Sequence, residues 1–451
     1  MKITVAGTGY VGLVTGVTLA HIGHNVTCVD VDENKIRLMR KGICPIYEKD
    51  LKELMLKNKN RLNYTTDYKS AYKDADVIFI GVGTPERADG SANLDYVYSV
   101  VEQIANSLEK DCVVVVKSTV PIGTNDEVEK YLKKHVKSKF NVCVVSNPEF
   151  LAQGTAVRDT LYASRIVVGV EDEAAKKIME ELYEPLTKEP YNVPYISMNR
   201  KSAEMVKYAS NDFLSLKISY INEIANFCEK VGANIEDVTK GMGYDSRIGN
   251  KFLRAGIGYG GSCFPKDTKA LHWLSKELES ELKTIKACIE VNKVQKIKMY
   301  KKLKDDFKSL RDLNIAVLGL TFKPGTDDMR EAPSIDNIEL LLEAGANVHV
   351  YDPIGIERFK TIINKKIIDD EITGNISYFE TIDDAIKDCD AVMIMTEWLE
   401  IINYNIAKYV ELMKTPYIYD GRNCYELQKL KKYNIYYTSV GREVINNYKL
   451  K

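Results

Sequence analysis

The residues with the clearest capacity for chemistry lie in one glycine-rich stretch, Gly258-Tyr-Gly-Gly-Ser-Cys-Phe-Pro-Lys-Asp267. The pattern turns helical from Pro265, and proline is favoured at the first helical position. We therefore expect Cys263 just outside a helix N-terminus, where unpaired N–H groups and the helix dipole stabilise negative charge. Such a setting, with Lys266 nearby, favours the nucleophilic thiolate. A small buried cysteine in a turn is the alternative interpretation.

A second group of candidate residues lies near the start of the chain, where Gly7-Thr-Gly-Tyr-Val-Gly12 follows a strand pattern and precedes a helical one. Asp30 ends the next predicted strand, 23 residues after Gly7. This is the context that a dinucleotide-binding loop requires, with the acid accepting hydrogen bonds from the ribose hydroxyls. An acid there repels a 2′-phosphate, so NAD is favoured over NADP. A glycine-rich turn without a ligand is the alternative.

Further apolar runs end in polar residues flanked by prolines, at Thr84-Pro85, Ser118-Thr119-Val-Pro121 and Asn147-Pro-Glu149. Such runs, separated by helical segments, indicate a parallel sheet covered on both faces. Ligands bind beyond the carboxyl ends of these strands. Thr119 and Glu149 are therefore candidates for positioning and proton transfer, although each segment could also be an ordinary turn.

The middle of the chain changes to a helical period, and Ser202 to Val231 is predicted as one helix without internal glycine or proline. Lys207 and Asn211 share a face of it because they are four residues apart. A surface position and a buried functional role both remain open for Lys207. Beyond the helix, Arg247 and Arg254 could hold phosphates or could be surface charges.

The last third repeats the first. Asn314-Ile-Ala-Val-Leu-Gly319 parallels the first strand, but Gly319-Leu-Thr-Phe-Lys323-Pro-Gly325 replaces the dinucleotide loop. A doubly wound domain without that loop suits another phosphorylated ligand, such as a mononucleotide. Lys323 and Arg330 are then candidates for closing over its cleft.

Composition excludes several classes of protein. The 451 residues are 45% apolar and 28% charged with a net charge of −1, so nothing indicates binding to nucleic acid or to an anionic membrane. No apolar run approaches ~20 residues, and the N-terminus enters a strand, so neither a membrane span nor a signal peptide is expected. The nine cysteines lack CxxC spacing, which favours the cytoplasm and indicates no metal site.

An NAD domain combined with a nucleophilic cysteine predicts a four-electron oxidation of an alcohol to an acid. NAD accepts hydride, and a thiolate is needed only when the aldehyde is captured and oxidised again to a thioester that water releases. A two-electron hydroxyacid dehydrogenase would not need Cys263. A non-catalytic NAD-binding regulator is a further alternative.

Six motifs spread over nearly the whole chain resemble those of the UDP-glucose/GDP-mannose dehydrogenase family. They are Gly7-Thr-Gly-Tyr-Val-Gly12, Ser118-Thr-Val-Pro121, Asn147-Pro-Glu-Phe-Leu151, Lys207-Tyr-Ala-Ser-Asn211, Gly260-Gly-Ser-Cys-Phe-Pro-Lys-Asp267 and Phe322-Lys-Pro-Gly-Thr-Asp-Asp-Met-Arg330. The resemblance implies an α/β protein with two doubly wound Rossmann-like domains, joined by a long central helix and a mostly helical middle domain. We expect an NAD-binding domain over residues 1–197, a central domain over 198–300 and a UDP-sugar-binding domain over 301–451.

The same resemblance implies roles for individual residues. Cys263 would form the thiohemiacetal and thioester, and Glu149 would act as acid and base during hydrolysis. Lys207, helped by Asn211, would stabilise the oxyanion, and Asp267 would orient a water with Lys207. The residues implied to contact NAD are Gly7, Gly9, Tyr10, Val11, Gly12, Asp30, Lys35, Thr84, Thr119, Gln153, Lys266 and Arg330. Those implied to contact the substrate are Glu149, Phe150, Leu151, Ala152, Gln153, Lys207, Asn211, Arg247, Phe252, Leu253, Arg254, Ala255, Gly256, Gly260 and Lys323.

The implied reaction is the oxidation of UDP-glucose to UDP-glucuronate with two NAD⁺ by a cytoplasmic homodimer. Oxidation of GDP-mannose by the same mechanism is the alternative. One departure from the family pattern concerns Gln153, where family members often carry a glutamate. Glutamine keeps the hydrogen-bonding shape but cannot act as a base, so proton transfer depends more heavily on Glu149.

Overall fold

The protein is described by a computed structural model covering residues 1–137, 139–368 and 374–449. It divides into two compact units. The first contains residues 1–210 and 273–278, and the second contains residues 211–272 and the chain from residue 279 onward. The expected division into three domains at residues 197 and 300 stays a prediction.

The first unit is built on a sheet with the order β3-β2-β1-β4-β5-β6-β7-β8, parallel except between β6 and β7. Its inner strands are continuous apolar runs because helices cover both faces; every residue of β5 is buried. The strands are β1 (Lys2–Ala6), β2 (Asn25–Val29), β3 (Leu62–Thr65), β4 (Val77–Ile80), β5 (Cys112–Val116), β6 (Val142–Ser146), β7 (Ile166–Gly169) and β8 (Tyr195–Met198). The helices are α1 (Tyr10–His21), α2 (Glu33–Arg40), α3 (Leu51–Lys57), α4 (Tyr68–Lys73), α5 (Asp95–Ser107), α6 (Thr124–His135), α7 (Ala156–Leu161) and α8 (Glu173–Thr187).

The centre of the chain is helical. The segment predicted as one helix from Ser202 to Val231 is α9 (Arg200–Val231), 32 residues long, which begins in the first unit and continues into the second. It lacks internal glycine and proline, so its hydrogen-bond ladder is not interrupted. The helices that follow are α10 (Ile235–Gly243), α11 (Phe264–Glu277), α12 (Lys283–Lys296) and α13 (Lys298–Asp306).

The second unit repeats the topology of the first. Its sheet has the order β11-β10-β9-β12-β13-β14-β15, in which only β15 is antiparallel to its neighbour. The strands are β9 (Asn314–Leu318), β10 (Asn347–Tyr351), β11 (Asn375–Tyr378), β12 (Ala391–Ile394), β13 (Tyr417–Asp420), β14 (Tyr436–Thr438) and β15 (Ile445–Asn446). The helices are α14 (Pro333–Glu343), α15 (Ile356–Ile368), α16 (Ile382–Ile386), α17 (Leu399–Ile402), α18 (Ile406–Leu412) and α19 (Leu427–Leu430). The predicted fold class, with two Rossmann-like sheets and a helical centre, is confirmed.

Among the described residues, no helix is both long and apolar enough to cross a membrane. Within the same residues, no group of histidine, cysteine and carboxylate side chains is arranged to hold a metal ion. All nine cysteines are present as free thiols.

Candidate active site

The glycine loop between β1 and α1 has the shape that a dinucleotide needs. Gly7 adopts a φ of +93°, and a Cβ placed on Gly12 would lie 2.0 Å from the Gly7 carbonyl oxygen, so both positions require glycine. A Cβ placed on Gly9 would meet no heavy atom within 4 Å, which leaves the backbone open to a ligand. No side chain caps α1 at Gly9. Its first N–H groups are therefore suited to a pyrophosphate.

Asp30 is held beside this loop at the end of β2. Its Oδ2 accepts hydrogen bonds from the Thr8 N–H at 2.8 Å and the Thr8 hydroxyl at 2.5 Å. Burial opposes ionisation of Asp30, but hydrogen bonds from Thr8 and the Asp32 N–H outweigh it and hold the pKa below its usual value, with Lys35 adding a smaller attraction. An ionised acid at this position fits the predicted contact with the ribose of NAD.

Two other predicted cofactor residues contact neighbouring loops of the first unit. The Thr84 hydroxyl donates to the Thr119 carbonyl at 2.9 Å, which joins the ends of β4 and β5. The Tyr10 hydroxyl donates to the Tyr47 carbonyl at 2.8 Å. The side chains of Thr84 and Tyr10 are thus fixed by direct hydrogen bonds.

Glu149 and Lys207 form a buried ion pair in the first unit. The Lys207 Nζ lies 2.8 Å from Glu149 Oε1, and their side chains are 3% and 6% exposed. The other carboxylate oxygen accepts from the Leu151 N–H at 2.9 Å. Lys207 also lies over the Phe150 ring, 5.7 Å from its centroid. The surface interpretation of Lys207 is therefore wrong, since α9 directs this side chain into the unit.

The segment after Glu149 is anchored by a carboxylate that sequence reasoning missed. Glu48 is buried and accepts from the Gly154 N–H at 2.8 Å and from the Ala156 N–H at 2.9 Å. The Ala152 N–H donates to Asp159 at 3.0 Å. Gln153 is buried, and its Oε1 has no hydrogen-bond partner among the described residues.

Cys263 lies at the start of α11 in the second unit, as predicted. Its carbonyl accepts from the Asp267 N–H at 2.8 Å, the first hydrogen bond of the helix. The helix begins at Phe264, so Pro265 is its second residue rather than its first. The half-buried Sγ lies 3.7 Å from the Ser262 hydroxyl.

Asp267 is the centre of a short polar network in the second unit. It is 1% exposed, and it accepts from the Asn211 amide at 2.6 Å and from the Lys266 ammonium at 2.6 Å. Asp212, next to Asn211 on α9, is 2% exposed, and neither of its oxygens has a hydrogen-bond partner within the described chain. Burial, and then the charge of Asp267, raise the pKa of Asp212 to about 8. Sequence reasoning did not single out Asp212.

The loop that contains Cys263 packs closely against Arg330 and Glu331. These two residues follow the loop of residues 319–325, which takes the place of the dinucleotide loop in the second sheet. A Cβ on Gly260 would lie 2.3 Å from the Glu331 carbonyl oxygen, and the Gly261 N–H donates to the Arg330 carbonyl at 2.8 Å. The Arg330 guanidinium pairs with Asp328 at 2.6 Å. Close backbone contact therefore requires glycine at position 260, and its predicted contact with the substrate stays a prediction.

Arg422, which the sequence did not mark, joins three segments of the second unit. Its guanidinium donates to the carbonyls of Met395 at 2.9 Å, Gly258 at 3.2 Å and Phe322 at 3.2 Å. Its own carbonyl accepts from Arg254 at 2.7 Å. The cysteine loop and the Phe322 segment are thereby held to the end of β13.

The remaining predicted substrate residues differ in their surroundings. Leu253 and Ala255 are buried, and the Gly256 N–H donates to the Asn222 side chain at 2.9 Å. Phe252 is 40% exposed with a φ of +63°. The remaining two are cations: the Lys323 Nζ lies 5.5 Å from the centroid of the Phe322 ring, and the 87% exposed Arg247 side chain pairs with Asp245.

Most other cysteines are poorly suited to nucleophilic chemistry. Burial raises the pKa of seven of them, to about 12 for Cys28 and Cys389 and about 11 for Cys143. The other four with a raised pKa are Cys44, Cys112, Cys288 and Cys424. Cys228, the eighth, is 3% exposed.

Each unit thus gathers part of the predicted site. The first unit brings together the glycine loop with Asp30, Thr84 with Thr119, and Glu149 with Lys207. The second brings together Asn211, Asp267 and Lys266 at the helix that Cys263 precedes. The individual assignments to catalysis, cofactor and substrate stay predictions.

Comparison with known proteins identifies the family. Profiles of the NAD binding, central and UDP binding domains of the UDP-glucose/GDP-mannose dehydrogenase family match residues 1–187, 201–294 and 316–427. The chain is 48% identical to UDP-glucose 6-dehydrogenase YwqF of Bacillus subtilis (strain 168), over 99% of this chain and 98% of that protein. It is 45% identical to a UDP-glucose 6-dehydrogenase of Rhizobium meliloti (strain 1021), over 98% and 100% of the two chains. A UDP-glucose dehydrogenase structure from Pyrobaculum islandicum superposes with a TM-score of 0.87 at 34% identity, covering 96% of each chain. The chain therefore belongs to the UDP-glucose/GDP-mannose dehydrogenase family and is an NAD-dependent nucleotide-sugar dehydrogenase.

Proposed function

We propose that this chain oxidises C6 of UDP-glucose twice, giving UDP-glucuronate and consuming two NAD⁺. The observation that carries the proposal is the position of Cys263 at the start of α11, one turn before the Asn211–Asp267–Lys266 network. A two-electron dehydrogenase has no use for a nucleophile there. Relatives at 42–48% identity that are named UDP-glucose 6-dehydrogenase support the substrate.

The glycine loop and Asp30 would hold NAD⁺, which when bound would supply the acceptor for the hydride that C6 loses in each oxidation. The proton of the C6 hydroxyl is released to water in each oxidation. The Cys263 Sγ adds to C6 of the aldehyde, and the second hydride loss converts this thiohemiacetal to a thioester. A water oxygen then bonds to C6, and its proton passes to Glu149. The C–S bond breaks, its electron pair returns to sulfur, and the carboxylate is released.

The charge and hydrogen bonding of each side chain determine its role in these steps. Lys207 stabilises the oxygen that becomes negative at C6, which is an oxyanion-hole role. Asn211 helps Lys207 in this role, and Asp267 acts with Lys207 in orienting the attacking water. Since Gln153 cannot accept a proton as a base, Glu149 is the carboxylate that does so.

The UDP group is assigned to the segment from Phe252 to Gly256, with Gly260 and Lys323. The match to a UDP binding domain over residues 316–427 supports a uridine nucleotide. The alternative substrate, GDP-mannose, is not favoured, because the relatives that match over nearly their whole length carry the name UDP-glucose 6-dehydrogenase.

We also expect a cytoplasmic homodimer. Phe213, Tyr220 and Phe227 recur at intervals of seven residues on α9 and are 61%, 49% and 63% exposed. An apolar stripe with this spacing suits packing against a second copy. Light scattering on the purified protein measures its mass and tests the dimer.

The proposed function is tested by the moles of NADH formed per mole of UDP-glucose, with GDP-mannose in parallel. We expect two NADH from UDP-glucose and none from GDP-mannose. Cys263→Ser should be inactive. Cys44→Ser is the matched control, because its hydroxyl can keep the bond that Cys44 donates to the Ile46 carbonyl at 3.2 Å. One NADH per substrate, or an active Cys263→Ser, would refute the covalent mechanism.

A further inference from the structure

Lys117 occupies a fixed position at the carboxyl end of β5, directly before Ser118 and Thr119. Its Nζ donates to the Asn147 Oδ1 at 3.0 Å. Asn147 is 1% exposed; its oxygen also accepts from the Tyr183 hydroxyl at 2.5 Å, and its amide donates to the Val167 carbonyl at 2.8 Å. The acceptor of Lys117 is therefore held in place by two further hydrogen bonds.

The charge of Lys117 is not matched by an ion pair with a carboxylate of residues 1–137, 139–368 and 374–449, and its hydrogen-bond acceptor is a neutral amide. Lys207, by contrast, is compensated by Glu149 at 2.8 Å. These three side chains together carry a net charge of +1 when both lysines are protonated. Without Lys117, the net charge would be zero.

Keeping this cation inside the unit costs free energy. Burial lowers the pKa of Lys117 to about 8; attraction by Glu149 raises it, and repulsion by Lys207 lowers it further. The geometry agrees, because Lys117 and Lys207 hydrogen-bond to Asn147 and Glu149, which are two residues apart in the chain. Groups whose pKa is strongly shifted by burial and by specific charged neighbours cluster at functional sites. A neutral donor would anchor Asn147 without this cost.

We propose that Lys117 is a positioning residue of the oxidation, and that its charge supplies the net positive field beside the otherwise neutral Glu149–Lys207 pair. The inference rests on the proposed function, in which Lys207 stabilises the oxyanion at C6. Negative charge that develops on that oxygen is stabilised by a preorganised cation more than the uncharged ground state is. The field therefore lowers the barrier without strengthening substrate binding.

Three substitutions separate charge from anchoring. Lys117→Arg keeps the charge and a donor, Lys117→Gln keeps a donor without charge, and Lys117→Met removes both. Steady-state NADH formation is measured with UDP-glucose and NAD⁺ on each full-length protein. The thermal unfolding midpoint of each shows whether it is folded.

We expect kcat of the Gln and Met variants to fall by roughly 10- to 100-fold, which approaches the decrease in kcat caused by removing an oxyanion-hole donor. KM for UDP-glucose should stay within about 3-fold, because ground-state binding is unchanged. The Arg variant should recover most of the lost kcat. A Gln variant with wild-type kcat, or an Arg variant as slow as the Met variant, would overturn the inference alone. A wild type that forms no NADH from UDP-glucose would overturn the proposed function and this inference with it.

Discussion

Asp212→Asn is predicted to stabilise the protein by an amount that grows with pH. The wild-type carboxyl is 2% exposed and has no hydrogen-bond partner within the described chain, so ionising it in the folded protein is unfavourable. Its pKa is raised from 3.8 to about 8. Asparagine has nearly the same shape and does not titrate. The difference in the free energy of unfolding between the two proteins therefore reports the ionisation of this one group.

The sign and size follow from proton linkage. Between pH about 4 and pH about 8 the folded protein keeps a proton on Asp212 that the unfolded chain has released. The stability that this proton provides is complete below pH about 4 and is lost as the pH rises toward 8, at about 1.4 kcal/mol per pH unit. From pH 5 to pH 7 the advantage of Asp212→Asn should therefore increase by about 2.7 kcal/mol.

Urea titrations at pH 5 and pH 7 test this value. The chain has two tryptophans, at 273 and 398, and Trp398 lies in the same unit as Asp212. In a Trp273→Phe background, fluorescence follows that unit alone. Asp237→Asn, which removes an exposed carboxyl on α10, is the control and should give a difference that does not change between the two pH values. An equal difference at both pH values for Asp212→Asn would refute the reasoning.

Three further predictions concern the first unit. Gly12→Ala places a Cβ 2.0 Å from the Gly7 carbonyl oxygen, so NAD⁺ binding measured by calorimetry should be abolished; unchanged affinity would contradict the role of this close contact. Asp30→Ala removes the carboxylate predicted to bind the ribose, so KM for NAD⁺ should rise by about 10- to 100-fold, as expected for the loss of a hydrogen bond to a charged group. KM for NADP⁺ should fall, because the carboxylate no longer repels the 2′-phosphate. Glu48→Ala removes the acceptor of two N–H groups behind Glu149, and KM for UDP-glucose should rise by about 10-fold or more. Glu48→Gln, which keeps one acceptor, should lie between Ala and wild type, and equal values for all three would contradict the anchoring role.

The parts of the fold that sequence could predict are those with local signals. Apolar runs located β1, β2, β4, β5 and β6 of the first sheet but not β3, β7 and β8. The absence of helix breakers defined α9 to within two residues. The repeat at Asn314 indicated the second sheet, whose strand order matches the first. The position of Cys263 followed from Pro265 and the glycines before it. Apart from the repeat, each of these inferences uses residues that are close together in the chain.

The residues that were missed depend on contacts between distant parts of the chain. Glu48 is 106 and 108 residues away from the two N–H groups that it binds. Arg422 is 164 residues from Gly258. Among 64 acidic residues, nothing local distinguishes Asp212, whose unusual state arises from burial next to Asp267. In the sequence, Lys117 is simply the polar residue that follows an apolar strand. Its contact with Asn147, 30 residues away, forms only in the folded chain.

The raised pKa values of seven cysteines have a practical consequence. Thiols that stay protonated at neutral pH react slowly with alkylating reagents, and Cys228 is buried. Cys263 is the remaining cysteine, and it is half-buried. Under the proposed function, in which Cys263 is the nucleophile, the moles of iodoacetamide that the folded protein consumes rapidly count its active sites. A preparation can be standardised by active-site titration, so that rates refer to competent molecules rather than to total protein.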